Sequence, residues 1–118
     1  LPEIIVPSER EGTTHAWHLY VVRLRPELLE IGRDRFIEEL RACGIGTSVH
    51  FIPVHHHPYY REAYGWAPGD FPRADAAFET MLSLPLYTRM TAETVERVAD
   101  AVEDVVRGHR RAGGTMDA

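Results

Sequence analysis

The chain has 118 residues, of which 44% are hydrophobic, and it carries a formal net charge of −5; this size and composition predict one compact globular domain. Its apolar runs are only a few residues long, and no basic N-terminal region leads into an apolar stretch, so we expect neither a membrane-spanning segment nor a secretory signal. The thirteen basic residues are scattered along the chain, whereas a nucleic-acid-binding surface requires a basic stripe or patch.

The first half of the chain alternates between predicted strands and a helix. Residues 1–12 contain two prolines and a polar run, which indicates an extended N-terminal segment. The run His15–Leu24 is rich in β-branched and aromatic residues, and its apolar residues would fall on both faces of a strand. We therefore predict a central strand covered on both faces. A helix over 33–43 presents one apolar stripe and stops at Gly44, because glycine takes a left-handed conformation freely. A second strand is predicted at Gly46–Ile52.

The second half begins with an irregular segment and continues with a helix and an edge strand. Residues 54–70 combine histidine, tyrosine, proline and glycine, which favours a shaped loop. Asp70 is predicted to cap the next helix, whose first turn tolerates Pro72 because that N–H would be unpaired anyway. The apolar stripe of this helix is predicted to contain Phe71, Ala74, Phe78, Met81 and Leu82. The proline-broken run Ser83–Tyr87 predicts a short edge strand.

The last helix has the clearest start signal. Thr91 is the predicted N-cap, and Met90 with Val95 fits a hydrophobic staple across it. Glu103 and Arg107 are spaced to form an i,i+4 ion pair. The predicted buried stripe consists of Val95, Val98, Val102 and Val105. Residues 109–118 are predicted to be a disordered tail.

The predicted order is therefore β-α-β-loop-α-β-α within a single domain over residues 1–118. Such an alternation of strands and helices predicts an α/β sandwich. The spacing of the elements leaves the relative direction of the strands open.

Histidine is concentrated in the predicted loop. Four of the seven histidines fall within residues 50–57, and imidazole nitrogens bind zinc and other transition metals. Adjacent histidines, however, point to different sides of an extended chain, and no carboxylate or thiolate lies at a supporting spacing nearby. We therefore predict no metal ligands, and a free-standing small-ligand or histidine-based metal-binding module is the alternative interpretation. The seven are His15, His18, His50, His55, His56, His57 and His109.

The same loop suits a polar ligand with flat rings. Imidazole, phenol and indole groups offer hydrogen bonds and apolar faces to a carbohydrate or a nucleotide. Packing of these rings beneath the loop is the competing interpretation. Within seventeen positions the groups are His50, His55, Tyr59, Tyr60, Tyr64 and Trp66.

Catalytic groups are scarce in this sequence, and we predict no catalytic residue. All thirteen basic residues are arginine, so chemistry that needs a lysine amine is excluded within the chain. Cys43, the single cysteine, lies at a predicted helix end, where nothing lowers its pKa. A lone cysteine also fits a reducing cytoplasm.

An ordered set of sequence runs resembles a known family. The runs are His15–Leu24, Arg33–Ile37, Gly44–His55, Tyr59–Arg61, Phe71–Asp75, Leu82–Tyr87 and Met90–Thr91. Together they resemble the C-terminal (small) domain of the DegT/DnrJ/EryC1/StrS family of pyridoxal-phosphate-dependent sugar-nucleotide aminotransferases, over about residues 12 to 107. The resemblance implies the small domain of an aspartate aminotransferase-like fold. This is a two-layer α/β (α+β) sandwich with a short, mostly antiparallel sheet and helices packed on it.

The resemblance also implies different roles for the large and the small domain of the full-length protein. In this family pyridoxal 5′-phosphate is held by a lysine of the large N-terminal domain, so we expect the full-length protein, a homodimer, to bind the cofactor and this chain alone to be inactive. The small domain closes over the active site. The resemblance implies that the substrate-binding residues are His50, Phe51, His55 and Tyr60.

The expected substrate follows from one motif. The His-Phe-x-x-x-His run at residues 50–55 is similar to the branch that makes 4-amino-4-deoxy sugars on UDP. The resemblance thus implies a UDP-linked 4-keto sugar as substrate, glutamate as amino donor, and a role in polysaccharide or cell-surface glycan biosynthesis.

Overall fold

Over residues 1–112, which are the residues that the computed structural model describes, the chain forms three strands and four helices. The strands are β1 (Ile4–Ile5), β2 (Tyr20–Leu24) and β3 (Met81–Leu84). The helices are α1 (Arg33–Ala42), α2 (Pro58–Tyr64), α3 (Pro72–Thr80) and α4 (Ala92–His109), and a single 3-10 turn covers Val54–His56. In this described part, no helix has the length and apolar character that crossing a bilayer requires.

The sheet is antiparallel throughout and has the order β1-β2-β3. Ile4 pairs with Leu24, and Val22 pairs with Leu82, so the apolar side chains of neighbouring strands share one face. The predicted α/β sandwich and the antiparallel sheet are confirmed, and so is the central position of the strand predicted within His15–Leu24, which is β2. The N-terminal segment contributes more than predicted, because its β1 extends the sheet.

The central strand is shorter than predicted, and only one of its faces is fully buried, since Val21 on the other face is half-buried. The chain turns at Trp17, whose φ of 44° is incompatible with an extended strand. Within β2, Val22 and Leu24 are buried, whereas Arg23 is exposed. The prediction of a strand beginning at His15 and buried on both faces is therefore wrong.

The core lies between the sheet and the helices α1 and α4. Phe36 and Leu40 of α1 are fully buried, and α1 ends as predicted at Gly44, whose φ is +76°. Burial of such side chains stabilises the fold by roughly 1.5–3 kcal/mol each. The other core residues are Val22, Leu24, Leu29, Ile45, Leu82, Val98, Ala101, Val102, Val105 and Val106.

The predicted strand at 46–52 is wrong, and the following loop is more regular than predicted. Only Ser48 pairs with the edge of β3, where the Ser83 N–H donates to the Ser48 carbonyl at 2.7 Å. Beyond it the chain leaves the sheet toward the 3-10 turn. Helix α2 then starts at Pro58, the position where a proline fits a helix start, and ends at Gly65 with φ +68°.

The third helix is confirmed, but both of its predicted boundaries shift. Asp70 does not cap it: the Asp70 carboxylate accepts the Ala67 N–H at 2.8 Å and so closes the preceding turn. Met81 and Leu82 belong to β3 rather than to the helix. The edge strand in the structure therefore begins two residues earlier than predicted. It ends before Pro85, because proline has no N–H to donate to a neighbouring strand.

The start of α4 agrees with the prediction. The Thr94 N–H donates to the Thr91 hydroxyl at 3.2 Å, and Glu103 pairs with Arg107. Three of the four predicted stripe residues are buried, but Val95 is 52% exposed, because it lines an open apolar groove between α4 and the sheet.

The predicted tail starts too early. His109 belongs to α4, its carbonyl accepts the Glu30 N–H at 2.8 Å, and the Arg111 N–H donates to the Leu28 carbonyl at 3.0 Å. Residues 109–111 are thus attached to the body of the domain. The rest of the predicted tail, residues 113–118, lies outside the described residues.

Candidate functional site

His50 is anchored to the edge of the sheet by one ring nitrogen. Its Nδ1 lies 3.0 Å from the Ser83 hydroxyl and 3.3 Å from the Ser48 hydroxyl. Ser83 is buried in β3, so it is a fixed support. Since Nδ1 is held from the protein side, Nε2 is the ring atom that can meet a ligand.

Phe51 presents a large apolar side chain to solvent. It is 74% exposed, and its ring meets the His50 ring edge-on at 4.8 Å. The neighbouring side chains Ile52 and Val54 are also more than half exposed. An exposed apolar run beside a fixed imidazole is typical of a surface that receives another molecule.

His55 and His56 converge on one carboxylate. His55 Nε2 lies 2.7 Å and His56 Nε2 2.6 Å from Oδ1 of Asp75, and the Gly69 N–H donates to Oδ2 at 2.8 Å. We call His55, His56 and Asp75 the His–Asp cluster. An ionised carboxylate only accepts hydrogen bonds, so both rings donate from Nε2.

The surroundings of Asp75 keep it ionised. Desolvation alone would raise the pKa of the Asp75 carboxyl, but hydrogen bonds from the Gly69 N–H, His55 and His56 outweigh it and lower the pKa below its ordinary value. His55 is only 4% exposed. The cluster therefore fixes the 3-10 turn to the first turn of α3.

Tyr60 belongs to an aromatic cluster that reaches the same place. Its ring stacks on Trp66 at 5.9 Å with an interplanar angle of 8°, Trp66 meets Phe71 at 5.3 Å, and Phe71 meets His55 at 4.8 Å. The structure thus joins two of the predicted residues, Tyr60 and His55, through rings. His50 and Phe51 form a separate pair on the edge of β3.

Three residues that hold the histidines in place were not predicted from the sequence. Asp75 is twenty positions from His55, and only the folding of α3 back onto the turn brings them together. Adjacent histidines were expected to point to different sides of the chain, which is wrong here, because the 3-10 turn lets both rings reach Oδ1 of Asp75. Ser48 and Ser83 carry no signal of their own in the sequence, and the pairing of their backbones reveals their role.

A second surface is an apolar groove between the sheet and the first half of α4. It encloses about 450 Å³. Val6 and Val95 are each more than half exposed there. Other lining residues are Ile4, Tyr20, Leu86 and Met90.

Solved structures that resemble this chain include sugar aminotransferases. A putative sugar aminotransferase from Streptococcus pneumoniae, in its PMP form, superposes with a TM-score of 0.79 at 29% identity, over 90% of this chain and 26% of that one. The same protein is also known in a PLP form. The fold is therefore that of a part of a sugar aminotransferase.

The sequence comparisons give the family. Residues 1–103 match the DegT/DnrJ/EryC1/StrS aminotransferase family, and the chain belongs to this family. It is 46% identical over 110 residues to an uncharacterized protein of Methanocaldococcus jannaschii and 43% identical over 109 residues to the spore coat polysaccharide biosynthesis protein SpsC of Bacillus subtilis. These alignments cover 93% and 92% of this chain but 28% of each relative, so the chain spans little more than a quarter of their length.

The residues of this chain do not fit the covalent anchor of pyridoxal phosphate. The cofactor is attached through a lysine amine, and every basic residue of the sequence is an arginine. This chain therefore does not supply the covalent anchor of the cofactor.

Proposed function

We propose that this chain is the C-terminal, substrate-side domain of a pyridoxal-phosphate-dependent aminotransferase that converts a UDP-linked 4-keto sugar to the 4-amino sugar in cell-surface polysaccharide biosynthesis. The proposal rests on the outward-facing pair His50 and Phe51. This pair is held at a fixed edge of the sheet, in a chain that belongs to the family but contains no lysine. The cofactor lysine belongs to a larger N-terminal part of the protein.

His50 has the role of a hydrogen-bonding group for the sugar nucleotide. Two serine hydroxyls fix its Nδ1, so Nε2 faces the ligand without a further loss of side-chain freedom on binding. Such preorganisation increases affinity because less ordering is needed when the ligand arrives.

Phe51 has the role of an apolar wall. A 74% exposed ring gains from being covered by the flat face of a sugar or a base, and it excludes water from the bond that His50 makes. The two neighbours thus supply one polar and one apolar contact.

His55 and Tyr60 act from below the surface. The Nε2 of His55 is engaged by Asp75, and the Tyr60 ring is stacked on Trp66. We therefore assign to these two residues the positioning of the loop, with the Tyr60 hydroxyl available to the ligand.

The apolar groove is the surface that the rest of the protein covers. The chain spans 28% of its curated relatives, and a groove with two valines more than half exposed is stabilised when it is buried. We assign the groove to the large domain of the same polypeptide, and we place the full-length protein, as a homodimer, in the cytoplasm.

The test is a kinetic comparison in the full-length protein. His50→Asn keeps a polar atom near the two serines but removes Nε2. Loss of one hydrogen bond to the ligand costs about 0.5–1.5 kcal/mol, or roughly 2- to 12-fold in affinity. We expect the KM for the UDP-linked 4-keto sugar to rise by this factor while the KM for glutamate stays the same.

His57→Asn is the matched control, since His57 is an exposed histidine of the same loop. Its kinetic constants should equal those of the wild type. An unchanged sugar KM in His50→Asn, or an equal rise in the KM for glutamate, would contradict the assignment of His50 to the substrate side.

A further inference from the structure

We propose that His55, His56 and Asp75 form a binding site for a divalent transition-metal ion, with Zn²⁺ as the reference metal. The site is independent of the sugar nucleotide and of pyridoxal phosphate. It would fasten the loop that carries His50 and Phe51 to helix α3.

The donor atoms suit such an ion. The cluster offers two imidazole nitrogens and a carboxylate oxygen, all within 4.8 Å of one another. This donor set is found in catalytic zinc sites and in sites for other first-row divalent metals. The ligands come from two separate elements, the 3-10 turn and α3, so an ion would cross-link them.

The geometry requires the three side chains to rearrange around an ion. With metal–ligand distances of about 2.0–2.1 Å, a tetrahedral ion holds its ligand atoms roughly 3.3–3.4 Å apart. The present separations from Asp75 Oδ1 are 2.7 Å for His55 and 2.6 Å for His56. Binding would open these two separations by about 0.6–0.8 Å, and it would draw the two ring nitrogens, which lie within 4.8 Å of each other, to the same spacing. The two ring planes already stand at 82° to each other, so their nitrogens approach from different directions.

The shell around the ligands supports the same arrangement. The Gly69 N–H orients the carboxylate by binding Oδ2, which is the kind of outer contact that metal-binding carboxylates use. Phe71 contacts the His55 ring and Phe78 the His56 ring, at 4.8 and 6.1 Å. These rings limit the movement of the imidazoles.

An open side of the cluster provides the remaining coordination position. A cavity of about 400 Å³ borders His56 and Asp75 and is also lined by Glu79. Three protein ligands with a fourth position open to water are the arrangement of catalytic zinc sites. The His–Asp cluster is thus accessible to an ion, although His55 itself is buried.

The test is metal titration of the full 118-residue chain, prepared without a metal-affinity column and freed of metal with EDTA. Zn²⁺ is titrated by calorimetry, and Co²⁺ is titrated by visible absorption, which is intense for four-coordinate cobalt. We expect one equivalent of each metal to bind. Asp75→Asn and His56→Asn should each weaken Zn²⁺ binding by at least roughly 10-fold, as the loss of a ligand requires.

His57→Asn is the control, because it removes a neighbouring exposed histidine. It should bind Zn²⁺ as the wild type does. Failure of the wild type to bind a stoichiometric ion would overturn the proposal, and so would equal loss of binding in His57→Asn, which would show adventitious binding by the histidine run. If Asp75→Asn does not fold by circular dichroism, the partly exposed His56→Asn decides the outcome.

Discussion

Two phenylalanines allow the fold and the site to be tested with the same substitution. Phe36 is completely buried in the core, whereas Phe51 is 74% exposed. Phe36→Ala removes a fully buried ring and leaves a cavity, which costs about 3–5 kcal/mol of the free energy of unfolding. Only about a quarter of Phe51 is covered, and a quarter of the roughly 1.5–3 kcal/mol for full burial is about 0.4–0.8 kcal/mol.

Thermal unfolding followed by circular dichroism measures the difference. For a domain of this size, 1 kcal/mol corresponds to about 4 °C in Tm. Phe36→Ala should therefore lower the Tm by roughly 12–20 °C and Phe51→Ala by no more than about 3 °C. In the full-length protein, Phe51→Ala should nevertheless raise the KM for the sugar nucleotide. If Phe51→Ala destabilises the chain as much as Phe36→Ala does, the loop is part of the core and the reasoning is refuted.

Three further predictions concern charge, capping and association. Burial alone would raise the pKa of the Glu3 carboxyl, but the hydrogen bond from Arg110 and the charge of Arg110 lower this pKa overall. The ionised carboxylate therefore stabilises the fold fully above the ordinary pKa of glutamate, and this stabilisation is lost as the pH falls through the lowered pKa. Acidification from pH 7 to about 3 should reduce the Tm of the wild type more than that of Glu3→Gln, and equal losses would contradict this. Thr91→Ala should cost about 1 kcal/mol in urea unfolding while the exposed Thr88→Ala costs almost nothing, and equal costs would remove the capping role of Thr91. The isolated chain should self-associate through the apolar groove in sedimentation experiments, and Val95→Asp should suppress this association. A wild type that stays monomeric at high concentration would argue against an uncovered groove.

Local signals in the sequence were sufficient for the end of α1 and the start of α4, but not for α2. The end of α1 at Gly44 and the start of α4 at Thr91 depend on a backbone angle and on one hydroxyl, and both can be read from the residue types within one turn. The antiparallel direction of the sheet, in contrast, came from the family resemblance, since the spacing of elements does not determine it.

Features that depend on distant contacts could not be predicted from the residues. The run 46–52 has the composition of a strand, but only Ser48 pairs with β3 before the chain leaves the sheet. Asp75 meets two histidines about twenty positions away because α3 folds back on the loop. Val95 follows the helical stripe, and it is exposed because it lines the apolar groove between α4 and the sheet.

The sequence predicted a ligand-binding loop within residues 50–66, and the structure places the residues of this loop in different surroundings. His50 and Phe51 face outward from a fixed edge, whereas His55 is buried and bound to Asp75. Residue type alone cannot distinguish an imidazole that meets a ligand from one that supports a loop, because both use the same nitrogens.

The central claim is that this chain shapes the substrate side of a reaction whose lysine lies elsewhere in the protein. The most direct measurement is the formation of the UDP-linked 4-amino sugar, by mass spectrometry, from the 4-keto sugar, glutamate and pyridoxal phosphate. The full-length protein and the 118-residue chain are assayed side by side. We predict the amino sugar with the full-length protein and none with the chain alone. Transamination by the isolated chain, or a full-length protein that aminates no nucleotide-linked keto sugar, would contradict the account.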